Sequence, residues 1–366
     1  MGAEDNKIQK LREELDKTPS NKATQHHRGL LKAKIAALSE TREKKASGTG
    51  AALGGYSVKK TGDATVVLIG FPSVGKSTLL NRITNANSEV GGYDFTTLDV
   101  IPGVLEYKGA KIQILDVPGI IEGAAEGKGR GREILSVISN SDLVIIMTDA
   151  FKIRHIDIIK KELYNGRIRL ESKKPDVTIE KTGRGGITVN TAVKLKKIDA
   201  RTVKSVLNGH RINNANIILR TDVTDDELTD AILGNRKYVP MMILVNKSEF
   251  LDEAGMDEIR EKYKDDNILF ISAEKGTNIE KLKDRTYDKL QFIQIYTKPV
   301  GKEIDMDEPL IMKTGCTVGD VCDKLHMSFR KRFKYARIFG KSAKFNGQRK
   351  NLGHVLVDGD AVELHL

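Results

Sequence analysis

Gly70-Phe71-Pro72-Ser73-Val74-Gly75-Lys76-Ser77 fits G-x-x-x-x-G-K-[ST], the pattern of a phosphate-binding loop. The context agrees. An apolar, β-branched run over 66–69 leads in and reads as a buried strand. Residues 78–83, beginning with Thr78, read as the first turns of a helix. The glycines let the backbone wrap an anion, so several N–H groups converge on it. A helix N-terminus adds partial positive charge. In such a loop Lys76 neutralises the β- and γ-phosphates, and Ser77 ligates Mg²⁺. Residues 70–78 therefore predict a nucleoside triphosphate site in an α/β domain.

At 366 residues the chain has room for two to four domains. A formal charge of +11 and a pI near 9.3 point to a polyanionic partner, nucleic acid first. Cys316 and Cys322 are too few for a disulfide scaffold and fit no zinc spacing, so they read as reduced core residues of a cytoplasmic protein. The opening Met1-Gly2-Ala3-Glu4-Asp5 is acidic and unlike a signal peptide. No apolar run approaches the ~18 residues of a membrane helix, so no membrane partner is expected.

In chain order, residues 1–47 read as a helical hairpin. Ile8, Leu11 and Leu15 mark one helix, Thr18-Pro19-Ser20-Asn21 the break, and Leu31, Ile35 and Leu38 the second helix. Five Lys/Arg and no acid between Lys17 and Lys34 predict a solvated basic face open to RNA. Residues 48–57 form a Gly-rich linker. Residues 58–292 read as one nucleotide-binding domain, with strands over 66–69, 112–115, 143–147, 241–245 and 268–271 alternating with helices. That alternation predicts a mostly parallel sheet covered on both faces. About 90 residues separate Thr148 from Met241, against ~30 for a whole βαβ unit. An inserted α+β subdomain is therefore expected at about 167–238, with strands 177–181, 187–191 and 217–220 and a helix over 200–207. Residues 293–366 read as a β-grasp domain, with strands 293–297, 310–313, 335–339, 355–357 and 361–366 and a helix over 318–329. Nine Lys/Arg and no acid between Arg330 and Lys350, interleaved with Phe333, Tyr335, Phe339 and Phe345, suit RNA backbone contact and base stacking. The scattered histidines and the Asp358-Gly359-Asp360 turn read as structural.

Four further stretches follow the loop in order. In Phe95-Thr96-Thr97, Thr97 is placed to close over Mg²⁺ and the γ-phosphate. Asp116-Val117-Pro118-Gly119 fits D-x-x-G, with Asp116 on Mg²⁺ through water and the Gly119 N–H sensing the γ-phosphate. Asn246-Lys247-Ser248-Glu249 is similar to the guanine-reading N-K-x-D. Ser272-Ala273 is similar to the S-A motif, whose alanine N–H meets guanine O6. Each tetrad is weak alone, but five in order at strand ends, where α/β sheets bind ligands, point to GTP and GDP. Lys76, Thr97 and Gly119 are then the catalytic candidates, and Ser77, Thr97 and Asp116 the metal candidates.

These stretches, together with Tyr93-Asp94, the run Ile120 to Ala124, Gly127-Lys128-Gly129-Arg130-Gly131-Arg132, Asn21-Lys22-Ala23-Thr24 with His26-His27, and Ile295-Tyr296-Thr297-Lys298-Pro299, resemble the developmentally regulated GTP-binding proteins within the Obg-like GTPases. The resemblance covers nearly the whole chain. It implies an N-terminal helical region, a P-loop GTPase domain, an inserted ribosomal-S5-domain-2-like unit and a C-terminal TGS domain. It also implies work on ribosomes and in translation, with RNA and protein partners.

Two residues depart from the general GTPase pattern. Ile120 stands where many GTPases place a glutamine to orient the attacking water. Hydrolysis by the chain alone should be slow, with help from a partner such as the ribosome or from a cation. Some relatives use K⁺ with an asparagine at the position of Ser73, and serine there leaves K⁺ activation open. Glu249 stands where aspartate is usual, keeping the carboxylate but adding a methylene. The reading is a Mg²⁺-dependent GTPase, cytoplasmic and monomeric, acting with ribosomes and ribosomal RNA, with a protein regulator left open. Its rivals are an RNA-binding scaffold in which nucleotide is structural, an ATPase of related plan, and a ribosome-assembly GTPase.

Overall fold

The computed structural model describes residues 3–19, 21, 24–46, 62–84, 101–117, 131–170, 173–264 and 267–366. Helices α1 (Ala3–Lys17) and α2 (Gln25–Ala46) open the chain. Then come β1 (Ala64–Ile69), α3 (Lys76–Ile83), β2 (Ile101–Tyr107), β3 (Ala110–Asp116), α4 (Gly131–Ser139), β4 (Leu143–Asp149) and α5 (His155–Asn165). A second stretch holds β5 (Ile168–Leu170), β6 (Val177–Lys181), β7 (Ile187–Thr191), α6 (Ala200–Gly209), β8 (Ala215–Leu219), α7 (Asp225–Leu233) and β9 (Lys237–Val239). It is followed by β10 (Met241–Asn246), α8 (Glu253–Lys262), β11 (Ile268–Phe270) and α9 (Ile279–Lys289). The chain closes with β12 (Phe292–Thr297), β13 (Asp305–Lys313), α10 (Val318–Leu325), α11 (Met327–Arg332), β14 (Tyr335–Phe339), β15 (Gln348–Lys350) and β16 (Ala361–His365). The linker expected at 48–57 lies outside the described residues.

These elements form two compact units, Tyr56–Gly166 with Val239–Leu366, and Met1–Gly55 with Arg167–Tyr238. In the first, a six-stranded sheet has the order β11-β10-β4-β1-β3-β2. Its strands run parallel except β2, which pairs antiparallel with β3. Every residue of β1, β4 and β10 is buried, as parallel strands covered on both faces should be. The sequence reading has no strand at β2, where Pro102 and Gly103 interrupt the apolar pattern; an edge strand tolerates both. A five-stranded sheet, β13-β12-β16-β14-β15, makes the C-terminal domain. Its core gathers Ile295, Val318, Val321, Cys322, Ala336 and Ile338. Both cysteines are free and buried, and burial pushes the Cys316 thiol up to about 11.

Two expectations for this domain change. The helix expected over 318–329 is two helices, because His326 is extended (φ −167°, ψ 136°) and its ring accepts the Ser328 N–H to start α11. The strand expected at 355–357 is a single bridge, Val355 to Thr317, and the fifth strand is the polar β15. The Asp358-Gly359-Asp360 turn is structural. Asp360 is fully buried and accepts the N–H groups of Ser342 and Val357.

The other unit joins the N-terminal hairpin to the insertion, two segments that the sequence reading keeps apart. A three-stranded sheet runs β6-β8-β7, with β6 antiparallel and β7 parallel to β8. Helix α2 lies against α6. A Cβ on Gly29 would meet Thr202 Cγ2 at 3.2 Å and Val206 Cγ2 at 3.3 Å, so the small residue lets the helices close. Lys32 of α2 reaches both Asp225 (3.0 Å) and Asp226 (2.9 Å) at the start of α7. Arg28 donates to the Leu15 carbonyl at 3.1 Å and to that of Thr18. Two cations of the supposed solvated basic face are thus structural. Thr224 and Glu227 form a capping box on α7, and Asp199 caps α6.

A buried ion cluster ties the unit together. Asp230 (5% exposed) takes Arg169 at 2.5 and 2.9 Å and Arg236 at 2.9 Å. Burial pushes the Tyr238 hydroxyl beside it up to about 12. Removing one partner of a buried ion cluster strands the others and costs roughly 3–5 kcal/mol. Asp230→Ala should therefore destabilise this unit by about that amount. Urea denaturation, with amide hydrogen exchange in β6 and β8 as the local readout, measures it.

Candidate nucleotide site

The C-terminal ends of β1, β3, β4, β10 and β11 share one edge of the parallel sheet, and the motif residues leave from these ends. After β1 the chain turns through Ser73 (φ 65°) and Gly75 (φ 97°), both left-handed. Gly75 starts α3 with no side-chain cap, so the first N–H groups of the helix are left for an anion. Glycine is required twice over at this position. Beyond its φ, a Cβ there would stand 2.4 Å from Asn246 Nδ2.

Lys76 Nζ donates to the Gly70 carbonyl at 3.1 Å and stands 3.9 Å from Asp116 Oδ1. Ser77 Oγ donates to Asp116 Oδ2 at 3.2 Å. Burial pushes the Asp116 carboxyl above its usual range, against the pull of Lys76 and the Ser77 hydroxyl. A hard oxygen pair beside a lysine, with the carboxylate held in a costly buried place, fits a magnesium–phosphate group. Ser77 and Asp116 would hold the ion, which would neutralise phosphate charge there. Thr97 and Gly119 lie outside the described residues, as do Phe95, Thr96, Pro118, Ile120 and residues 121–130.

On the base-reading side, the Asn246 carboxamide bridges two loops. Nδ2 donates to the Val74 carbonyl at 2.8 Å, and Oδ1 accepts the Ala273 N–H at 2.9 Å. The Ala273 N–H, expected to meet a guanine oxygen, is here engaged by Asn246. Ser272 is buried, and its hydroxyl accepts the Lys275 N–H at 3.0 Å, bracing the loop. Lys247 is left-handed (φ 60°) and lies over the phosphate loop, 3.5 Å from the Ser73 carbonyl. The short 3₁₀ turn Ser248–Phe250 carries Glu249, whose Oε2 is buried with no hydrogen-bond partner. An unpaired buried acceptor costs about 1–3 kcal/mol. It fits an incoming donor such as the N–H edge of guanine.

The sequence reading misses Asp149. It is buried at the end of β4, 3.6 Å from Lys247 Nζ, and its Oδ1 accepts the Phe151 N–H at 3.1 Å. Its signal is the one that marks Asp116 and Asn246, a polar residue closing an apolar strand. Also missed is the support under Phe71, which stacks on His155 at 3.9 Å between centroids. That pairing joins residues far apart in sequence and leaves no local trace.

This fold and site define a P-loop nucleotide-binding protein of the GTPase class. Residues 65–181 match the family described as 50S ribosome-binding GTPase, 184–292 the C-terminal region of that domain, and 293–366 the TGS domain. An uncharacterized GTP-binding protein of Methanocaldococcus jannaschii is 50% identical over 366 residues, covering 100% of this chain and 93% of that protein. Developmentally-regulated GTP-binding protein 1 of Xenopus laevis is 42% identical over 361 residues, covering 98% of each. The YchF GTPase of Schizosaccharomyces pombe aligns with a TM-score of 0.46 at 15% identity, over 84% of this chain and 99% of that one. The chain belongs to the developmentally regulated GTP-binding protein family.

Asn246→Ala removes both loop-bridging hydrogen bonds and leaves the Val74 carbonyl and Ala273 N–H unpaired. Each stranded group costs about 1–3 kcal/mol. The expected result is at least a ~10-fold loss of GDP affinity, by titration with a fluorescent GDP analogue.

Proposed function

We propose that this GTP-binding protein is a Mg²⁺-dependent GTPase with a low intrinsic rate, acting as a switch on ribosomes. The observation that carries the chemistry is the convergence of Lys76, Ser77 and Asp116 on the phosphate loop. Lys76 and the loop N–H groups would stabilise charge on the transferring phosphoryl while water attacks in line. The partnerless Glu249 carboxylate supports guanine as the base. Ile120 supports the low rate, since isoleucine cannot hold the water. Serine at position 73 keeps K⁺ among the candidate activators.

Support for a ribosomal partner comes from the C-terminal domain and from the name of the family matched. Lys331, Arg332, Lys341 and Lys344 make no ion pair among the described residues. Tyr335 and Phe339 lie on one face of the sheet with Arg349 and Lys298 over their rings, at 4.4 and 5.1 Å. Phe345 is 65% exposed, while Phe333 packs on the core. Charge and aromatics together suit ribosomal RNA. The matched family is described as ribosome-binding. The working form is a cytoplasmic monomer. No described helix is long and apolar enough to cross a membrane.

The test is nucleotide turnover with and without ribosomes, with GTP and with ATP, in K⁺ and in Na⁺. GTP should be preferred, and ribosomes or K⁺ should raise kcat. Glu249→Gln should erase the preference for GTP over ATP while leaving the phosphate loop intact. Equal turnover of both nucleotides by the unmodified protein overturns the guanine reading. GTP binding with no hydrolysis under any condition favours the rival suggested by Ile120, a scaffold in which nucleotide is structural.

A further inference from the structure

Inside the unit made by the hairpin and the insertion lies a cleft of about 710 Å³. Helices α1 and α2 form one wall. The end of β6, residues 208–212 at the close of α6 and in the turn after it, and the end of α7 form the other. Leu11, Leu38, Ile212 and Ile232 give it apolar lining. Among the described lining residues, Lys7, Lys34, Lys181 and Arg211 give it four cations against the single carboxylate of Glu40.

Two effects compete over the sign of the site. Helices α6 and α7 both end at the cleft, and each C-terminus carries roughly half a negative charge. Together with Glu40 they offset about two of the four cations. An excess of about two positive charges remains. Those cations are not spent on the fold. Lys7, Lys34, Lys181 and Arg211 are exposed and make no ion pair among the described residues, whereas nearby Lys32 is consumed by Asp225 and Asp226.

Arg211 is left-handed (φ 61°) because it closes the C-terminus of α6, where the Ile212 N–H reaches back to the Leu207 carbonyl at 3.0 Å. One local feature marks the cleft as more than a gap in packing. His210, in the same turn, has a buried Nε2 without a hydrogen-bond partner, and burial holds its imidazole below the usual pKa. A cleft of this size that joins apolar lining to converging polar groups has the form of a small-ligand site.

We propose that this cleft binds an organic phosphate of mononucleotide size, with its ring or chain on the apolar lining and its phosphate among Lys7, Lys34, Lys181 and Arg211. A phosphate monoester carries about −1.5 to −2 at neutral pH, which matches the excess charge. A phosphodiester backbone carries less charge per group and tracks along open grooves rather than entering a cleft. The site lies in a different compact unit from the phosphate loop and does not depend on GTP hydrolysis.

Pyridoxal 5′-phosphate tests this directly, because it is an aromatic phosphate with a lysine-reactive aldehyde. The aldehyde condenses with a lysine amine to an imine, releasing water. Borohydride then delivers hydride to the imine carbon, the nitrogen takes a proton, and a stable secondary amine results. Full-length protein is first saturated with GDP and Mg²⁺ to cover Lys76 and Lys247, then labelled, reduced and mapped by peptide mass spectrometry.

The proposal expects saturable labelling of about one equivalent at Lys7, Lys34 or Lys181, prevented by pyridoxine 5′-phosphate, which lacks the aldehyde. Arg211→Glu and, separately, Lys181→Glu should lower labelling of the remaining cleft lysines at least ~10-fold, the loss of a charge-assisted contact. Labelling elsewhere and GTP turnover should stay unchanged, which shows that the variants fold. Unsaturable labelling spread over exposed lysines overturns the proposal, as does labelling indifferent to both variants. Stronger protection by oligouridylate than by pyridoxine 5′-phosphate, at equal phosphate concentration, overturns it in favour of RNA.

Discussion

The side-chain amide of Asn246 spans the distance between two loops that the sheet cannot join by itself. Strand β10 neighbours β4, and β4 neighbours β1, so the end of β10 lies two strands from the phosphate loop. Asn246 crosses that gap with one hydrogen bond to the Val74 carbonyl, and on its other side accepts the Ala273 N–H from the loop after β11. The crossing is possible because Gly75 has no Cβ where Nδ2 sits. Glycine and asparagine therefore specify each other from opposite ends of the domain. Lys247 and Asp149 add a second tie across the same strands, with Lys247 reaching back to the Ser73 carbonyl. The phosphate loop is consequently shaped by the base-reading loops before any ligand arrives.

That dependence explains what could be read from the sequence and what could not. The parallel strands were legible because burial on both faces makes them continuous apolar runs, and the site motifs because each closes such a run. Residues 177–181, 187–191 and 335–339 emerge with the same bounds in the structure. Elements stabilised from outside left no such mark. Strand β15 is Gln348-Arg349-Lys350 and owes its place to pairing with β14. Strand β2 is held by β3 despite Pro102 and Gly103. The break at His326 depends on one backbone residue and one ring nitrogen. Asp149 and the stack of Phe71 on His155 needed the neighbouring strand to be in place.

The grouping of the hairpin with the insertion is the sharpest case of this limit. Lys32 and Asp226 are 194 residues apart, yet their contact helps to define one compact unit. A run of cations without acids looks like a free basic face when only near neighbours are counted. For Lys32 the acids are supplied from α7 instead, where Asp225 and Asp226 also suit the positive end of that helix.

The same reasoning sorts the basic residues of the C-terminal domain, which contribute to the chain's net charge of +11. Lys324 donates to Asp63 at 2.7 Å and Lys313 to Asp142 at 2.5 Å. Those two aspartates also accept the backbone N–H groups of Lys111 and Thr65, at the starts of β3 and β1. The two lysines thus fasten the β-grasp domain to the edge of the sheet opposite the phosphate loop. Arg330 is held by Asp323, and Arg337 and Lys298 by the buried Glu363. Ion pairs of this sort spend charge on structure and leave little to attract a polyanion. Among the described residues, Lys302, Lys331, Arg332, Lys341, Lys344 and Lys350 make no ion pair, a smaller set than composition suggests. A surface for RNA on this domain must be built from such unengaged cations and from the ring–cation pairs of the outer sheet face, because Lys298, Lys313, Lys324, Arg330 and Arg337 are already engaged in holding the domain in place.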